Sequence, residues 1–383
     1  MRYAALVPLT AFFSGLFLLM ATRFQSVKEG QNYFAIVLVL CELPAALPVF
    51  PGTELSDALV TVPIANTALL FKEILSGTVR VDHIATVIGV TMLLVVAALI
   101  LGAQRMSGDT LLLGPTPRVV RQGERRSPSL LEAMGLLGIA FVGLIAVGTP
   151  LQAWSIGWGV LITEGLVVAL PTLWFVRHIG GNLLDEFCLR RPPILSIGLA
   201  VPLALCALVL MTGWLGIQQS FFSQPTYYNE VFERLERHIM SQPAWFTVMW
   251  IGVAPAVCEE VLFRGLMLPR LREVWGRHVA IFTTGFLFAL FHLDPFRIVP
   301  TLAMGVMMGY LYVWTRSLWV PIMYHLTNNL AAFAYAKGWV FLPETTDQLT
   351  PALIATAVCG VLLLVLTIRW LSSRDPRASL AAT

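Results

Sequence analysis

The chain has 383 residues, of which 57% are hydrophobic and only 12% charged, against about 25% charged in an ordinary soluble domain. Its mean hydropathy is +0.78, and a formal net charge of +3 gives no sign of nucleic-acid binding. Five scattered cysteines without a CxxC pair argue against a disulfide framework or a zinc finger.

Length is therefore counted in spans of about 20 residues. Apolar runs of that size occur near 4–22, 33–50, 84–103, 133–150, 156–176, 194–214, 244–268, 279–293, 297–315, 318–336 and 350–370. They predict an all-α, polytopic integral membrane protein with about eleven transmembrane helices. The first run follows a single arginine and lacks a small-x-small cleavage site, so it reads as a retained span. The run 59–71, broken by Pro63 and interrupted by Asn66, is too short to cross and predicts a re-entrant segment. Residues 216–242 carry polar and aromatic side chains in helical register and predict a helix lying on the outer surface.

Basic residues orient the spans. Arg105, Arg118, Arg121, Arg125 and Arg126 form one cluster; Arg177, Arg190 and Arg191 a second; Arg264, Arg270, Arg272 and Arg277 a third. Placing all three in the cytoplasm obeys the positive-inside rule. Alternation then puts Arg316, Arg374 and Arg377 inside, and the N-terminus and the acidic 215–243 region outside. The Gly/Pro/Ser-containing stretch 104–131 is the one clear linker, and its arginines read as a solvated loop.

Ionisable side chains cost roughly 2.5–3.5 kcal/mol each inside a span, so by default they mark function. Glu260 and Arg264 stand at i, i+4 and share a helix face. Glu259 points about 100° away. Pro255 removes a backbone donor, which leaves a carbonyl facing a cavity. Phe288 and His292 lie one turn apart, as do His325 and Asn329. Rough counting across a 264–278 loop sets His292 farther from the cytoplasm than Glu259.

Singly, each group has a bland role as a core histidine, a structural strap or interhelical glue. Together, in one half of the chain, they suit hydrolysis. A carboxylate assisted by an imidazole can activate water, and a second imidazole with an amide can donate to an oxyanion. His, His and Glu could also hold zinc, but HExxH is absent. Cys258 points to another face. Glu42 and Glu164 lack such companions and read as structural.

Glu259-Glu260-x-x-x-Arg264, Phe288-x-x-x-His292 and His325-x-x-x-Asn329, in that order and each in its own apolar run, resemble the motif series of the CPBP family. These are the CAAX prenyl endopeptidase and bacteriocin-processing (Abi) intramembrane proteases. The resemblance implies an eight-helix protease core over 130–372 and a glutamate-dependent endopeptidase in a bacterial cytoplasmic membrane. Its substrates would be peptides or membrane proteins, prenylated or leader-bearing among them. By carry-over, Glu259 and His292 activate water, His325 and Asn329 form the oxyanion hole, and Glu260 with Arg264 shapes the site. No cofactor is implied; a metal-free mechanism is favoured over a metalloprotease.

Residues 1–105 carry Phe24-Gln-Ser-Val-Lys-Glu-Gly-Gln-Asn-Tyr33 and Pro51-Gly-Thr-Glu-Leu, and are similar to the later membrane half of ABC-type sodium-exporter permeases. With no Walker motif here, any ATPase would be a separate partner subunit. The expected domains are thus 1–105, a basic linker 106–129, the protease 130–372 and a cytoplasmic tail 373–383. The competing class is a permease subunit or membrane scaffold without proteolysis.

Overall fold

The computed structural model describes residues 6–21, 24, 27–49, 53–56, 59–103, 127–221, 226–294 and 296–339. The basic linker's arginines, the run near 350–370 and the tail lie outside them. All regular structure among the described residues is helical: α1 (Leu6–Ala21), α2 (Val27–Ala45), α3 (Ala65–Ser76), α4 (Val81–Ala103), α5 (Leu130–Trp154), α6 (Ile156–His178), α7 (Ile194–Phe221), α8 (Thr226–Ser241), α9 (Ala244–Phe291), α10 (Ile298–Thr315) and α11 (Trp319–Ala336). Short helical turns lie between some of them.

Six of these are long and apolar enough to cross a membrane: α4 to α7, α9 and α10. Their outer faces carry exposed Leu93, Ile139, Leu166 and Trp174, as lipid-facing helices do. The protein is a multi-pass membrane protein. Eleven apolar runs thus meet six candidate spans among the described residues, with the run near 350–370 outside them. Runs 244–268 and 279–293 are the two arms of α9. Helix α2 carries Lys28, Glu29 and Pro44, and α11 carries His325, Asn328 and Asn329.

The chain divides into two compact units. In the first, α1 packs along α4, where a Cβ on Gly15 would sit 3.3 Å from Ala98 Cβ. The interrupted 59–71 run forms a short turn, Leu59–Thr61, and then α3. Asn66, the polar interruption, is buried and donates from Nδ2 to the Val60 carbonyl at 3.0 Å.

The second unit is built around α9. Its apolar window is 61% buried, against 22–44% in the other candidate spans, so α9 is the core of this unit. Among the described residues, four widened π-helical turns occur: Leu144–Gly148 in α5, Thr163–Ala169 in α6, and Val248–Val253 and Val261–Met267 in α9. Each is followed by a proline two residues on, namely Pro150, Pro171, Pro255 and Pro269. Proline cannot donate to the carbonyl four residues back, and its ring presses on that carbonyl. The affected carbonyls, Ala146, Val167, Ile251 and Gly265, all fall inside the widened turns. Pro202 in α7 produces no such turn.

Helix α9 is a hairpin. Gly276 interrupts it at φ 74° and ψ −178°, a region essentially reserved for glycine. The chain reverses there: Phe263 and Phe288, on opposite sides of Gly276, stack edge-on with ring centroids 5.3 Å apart. The expected 264–278 loop is thus a one-residue break between continuous helices. Nothing lies within 4 Å of a Cβ built on Gly276, so a substitution there meets only backbone strain. Gly276→Ala is expected to cost about 1–3 kcal/mol. A lowered thermal midpoint in detergent, beside an unchanged exposed Val279→Ala control, checks it.

Candidate functional site

The hairpin settles the relative level of the motif residues. Glu259 precedes Gly276 by 17 positions and His292 follows it by 16. At ~1.5 Å per residue both stand about 25 Å from the turn. The depth mismatch expected from a long loop does not arise.

Glu259 and Glu260 close the segment Ala254–Glu260, between the two widened turns of α9. Glu260 and Arg264 are fully buried. Arg264 Nη1 donates to Glu260 Oε1 at 2.8 Å, and Nη2 donates to the Gly305 carbonyl on α10 at 2.9 Å. Its Cζ lies 4.5 Å from the Phe288 ring centroid, a cation–π contact. Glycines permit this reach: a Cβ on Gly305 would stand 2.8 Å from Gly285 Cα, so α9 and α10 cross at backbone distance.

His325, on α11, joins both carboxylates. Its Nδ1 lies 3.1 Å from Glu260 Oε1, and its Nε2 lies 3.8 Å from Glu259 Oε2. A carboxylate bound to arginine only accepts, so Nδ1 carries the proton and donates. Glu260 therefore orients His325 as well as pairing with Arg264, the arrangement in which a carboxylate fixes an imidazole's tautomer. Glu259 Oε2 has no hydrogen-bond partner. It faces Nε2 across a gap too long for a direct bond.

Asn329 donates from Nδ2 to the Ile251 carbonyl at 3.0 Å. That is the carbonyl Pro255 leaves without its usual donor, so α11 is tied to α9 at the point where the sequence predicts a freed acceptor. Asn329's second amide proton is not used in this bond.

His292 departs from expectation. It is exposed at the end of α9 rather than deep in a span, because the helix stops at Phe291. Its Nδ1 lies 2.9 Å from the Phe288 carbonyl, so Nδ1 donates and Nε2 is left as an acceptor. The link to the other groups runs through Phe288, whose ring lies edge-on to His292 at 4.7 Å and to His325 at 5.8 Å.

Glu260, Arg264 and His325 are thus bonded directly, Glu259 Oε2 stands 3.8 Å from His325, Asn329 lies one turn beyond His325, and His292 approaches through a shared aromatic ring. No side-chain group of three or more His, Cys, Asp or Glu among the described residues is arranged to hold a metal ion. Among the described residues, two outside the motifs carry a buried oxygen without a hydrogen-bond partner: Asn328 at Oδ1, and Glu164, read from sequence as structural, at Oε2. For Glu164 the available signal was a lone carboxylate in mid-span.

A multi-pass membrane protein with a buried acid–imidazole centre built from α9 and α11 is the class these features define. Residues 241–331 match the family model described as Type II CAAX prenyl endopeptidase Rce1-like. All six motif residues fall within it. YdiL of Bacillus subtilis (strain 168), described as a candidate membrane peptidase, is 32% identical over 78 residues, covering 20% of this chain and 32% of its own length. The membrane-embedded CAAX protease MroQ of Staphylococcus aureus (strain USA300) is 30% identical over 89 residues, covering 21% of this chain and 36% of its own. The chain thus spans about a third of the length of these curated relatives. No solved structure matches.

Proposed function

We propose that the second unit is an intramembrane endopeptidase that hydrolyses peptide bonds with a water activated by Glu259 and His292. The observation that carries this reading is His325 set between Glu260 and Glu259 inside the Rce1-like stretch. Glu259 takes a proton from the water as its oxygen attacks the scissile carbonyl carbon, and the unprotonated Nε2 of His292 orients that water. The carbonyl oxygen becomes an oxyanion. It accepts from the free amide proton of Asn329 and, when the ring carries both protons, from His325 Nε2. As the C–N bond breaks, Glu259 returns its proton to the leaving amine. Arg264 and Glu260 hold the frame.

Membrane-associated peptides, prenylated or leader-bearing, are the proposed substrates. The proposed domains are residues 130–372 as the protease, in a bacterial cytoplasmic membrane, and 1–105 as a permease-like segment that would dock an ABC ATPase subunit. The test is cleavage of a membrane-anchored peptide by the purified full chain. Its rate should rise with pH on the acidic limb, because the base works unprotonated.

Asn329→Ala is expected to slow turnover about 10²–10³-fold, as for one lost oxyanion donor, with a parallel thermal melt to register the lost Ile251 contact. Cleavage should also persist after exhaustive chelation. Activity abolished by chelator and restored by zinc would replace this mechanism with a metal-assisted one.

A further inference from the structure

The widened turn Thr163–Ala169 of α6 packs against Ala254–Glu260 of α9, the segment that ends in the two glutamates. Glu164 lies on that turn with 6% exposure, and Glu259 on the facing segment with the same 6%. Each carries an Oε2 atom with no hydrogen-bond partner, and the segments that carry them pack against each other. A carboxyl kept as interhelical glue would be hydrogen-bonded across the interface. Glu164 Oε2 is not.

We propose that Glu164 is a positioning residue of the candidate site, a third carboxyl that shares one proton with Glu259 and so aims the working oxygen of Glu259 toward His325. This rests on the endopeptidase reading. Glu260 cannot serve this purpose, since its Oε1 already accepts from Arg264 and His325. In the pair, protonated Glu164 donates its O–H to the Glu259 carboxylate. The proton stays with Glu164 while Glu259 takes a second one from water, so charge and protons balance without a further reactant. Two carboxyls sharing one proton titrate as a unit rather than as separate acids.

The other titratable and charged groups facing Glu164 are few. Ala254–Glu260 brings Cys258, Glu259 and Glu260; the next turn of α9 brings Arg264; α11, beyond Glu259, brings His325. The packed turn Leu144–Gly148 of α5 brings none.

The experiment is peptide cleavage by the full chain across pH, for wild type, Glu164→Gln, Glu164→Leu and Glu259→Gln. A glutamine retains a donor toward Glu259 and a leucine does not. Glu164→Leu should lose about 10–100-fold in kcat with KM unchanged, the usual range for a residue that orients an active group. Glu164→Gln should stay within about 3-fold of wild type, since its amide replaces that donor. It should also lose the alkaline decline that wild type shows when Glu164 gives up the shared proton. Equal rates for Glu164→Leu and wild type, or equal impairment of both Glu164 variants, would overturn the proposal. Should Glu164→Leu fail to fold, an alkaline limb that persists in Glu164→Gln would overturn it instead. Glu259→Gln separates the two readings. If it remains active, the endopeptidase mechanism fails. If it is inactive while the Glu164 variants match wild type, only the role of Glu164 fails.

Discussion

Glu259→Gln is expected to lower peptide cleavage about 10²–10⁴-fold, the usual contribution of a general base, while the protein stays folded. The structure explains why these two effects can be separated here. Glu259 Oε2 has no hydrogen-bond partner, and His325 Nε2 stands 3.8 Å from it. No hydrogen bond at Oε2 has to be kept, so an amide of equal shape is expected to be tolerated. Glu260 is the opposite case. Its Oε1 accepts from both Arg264 and His325, so Glu260→Gln would leave a buried guanidinium without its counter-charge and free the imidazole to rotate. That variant should lose stability as well as rate. Measuring kcat and the thermal midpoint together for the two variants checks the assignment. A Glu259→Gln protein that cleaves at the parent rate would remove Glu259 from the chemistry.

Adjacent glutamates with such different partners could be told apart only in part from sequence. The i, i+4 spacing pairs Glu260 with Arg264 and turns Glu259 to another face, because helical periodicity is a local property. The bond from Asn329 to the Ile251 carbonyl was half legible: Pro255 announces a freed acceptor, but the donor 78 residues away depends on how α11 packs. The reach of Arg264 to Gly305 was not legible. It requires the close approach of Gly285 and Gly305 on facing helices, which no local pattern encodes.

The hairpin at Gly276 was hidden for a different reason. Arginines at 270, 272 and 277 give that stretch the composition of a loop, yet Arg270 is buried and paired with Glu186 and Glu273, so the helices continue almost to the glycine. That error also moved His292. Counted from a long loop it fell deep within a span; counted from Gly276 it falls at the exposed helix end. The apolar runs themselves identified the membrane class correctly, since burial in lipid depends on composition over some 20 residues and not on tertiary contacts.

Arg264 is expected to be the most sensitive position for stability. Arg264→Ala should destabilise the second unit by about 3–5 kcal/mol, the range for breaking a buried ion pair from one side. The side chain is fully buried and joins Glu260, the Gly305 carbonyl and the face of Phe288. Its removal leaves the buried Glu260 carboxylate without its guanidinium partner, and leaves the Gly305 carbonyl without this donor. Arg264→Lys retains the charge but not the fork, so it can satisfy either Glu260 or Gly305, not both. An intermediate loss is therefore expected for lysine. Thermal unfolding of the three proteins in one detergent gives the order. If Arg264→Ala melts with the parent, the guanidinium is not what holds α9, α10 and the paired glutamates together.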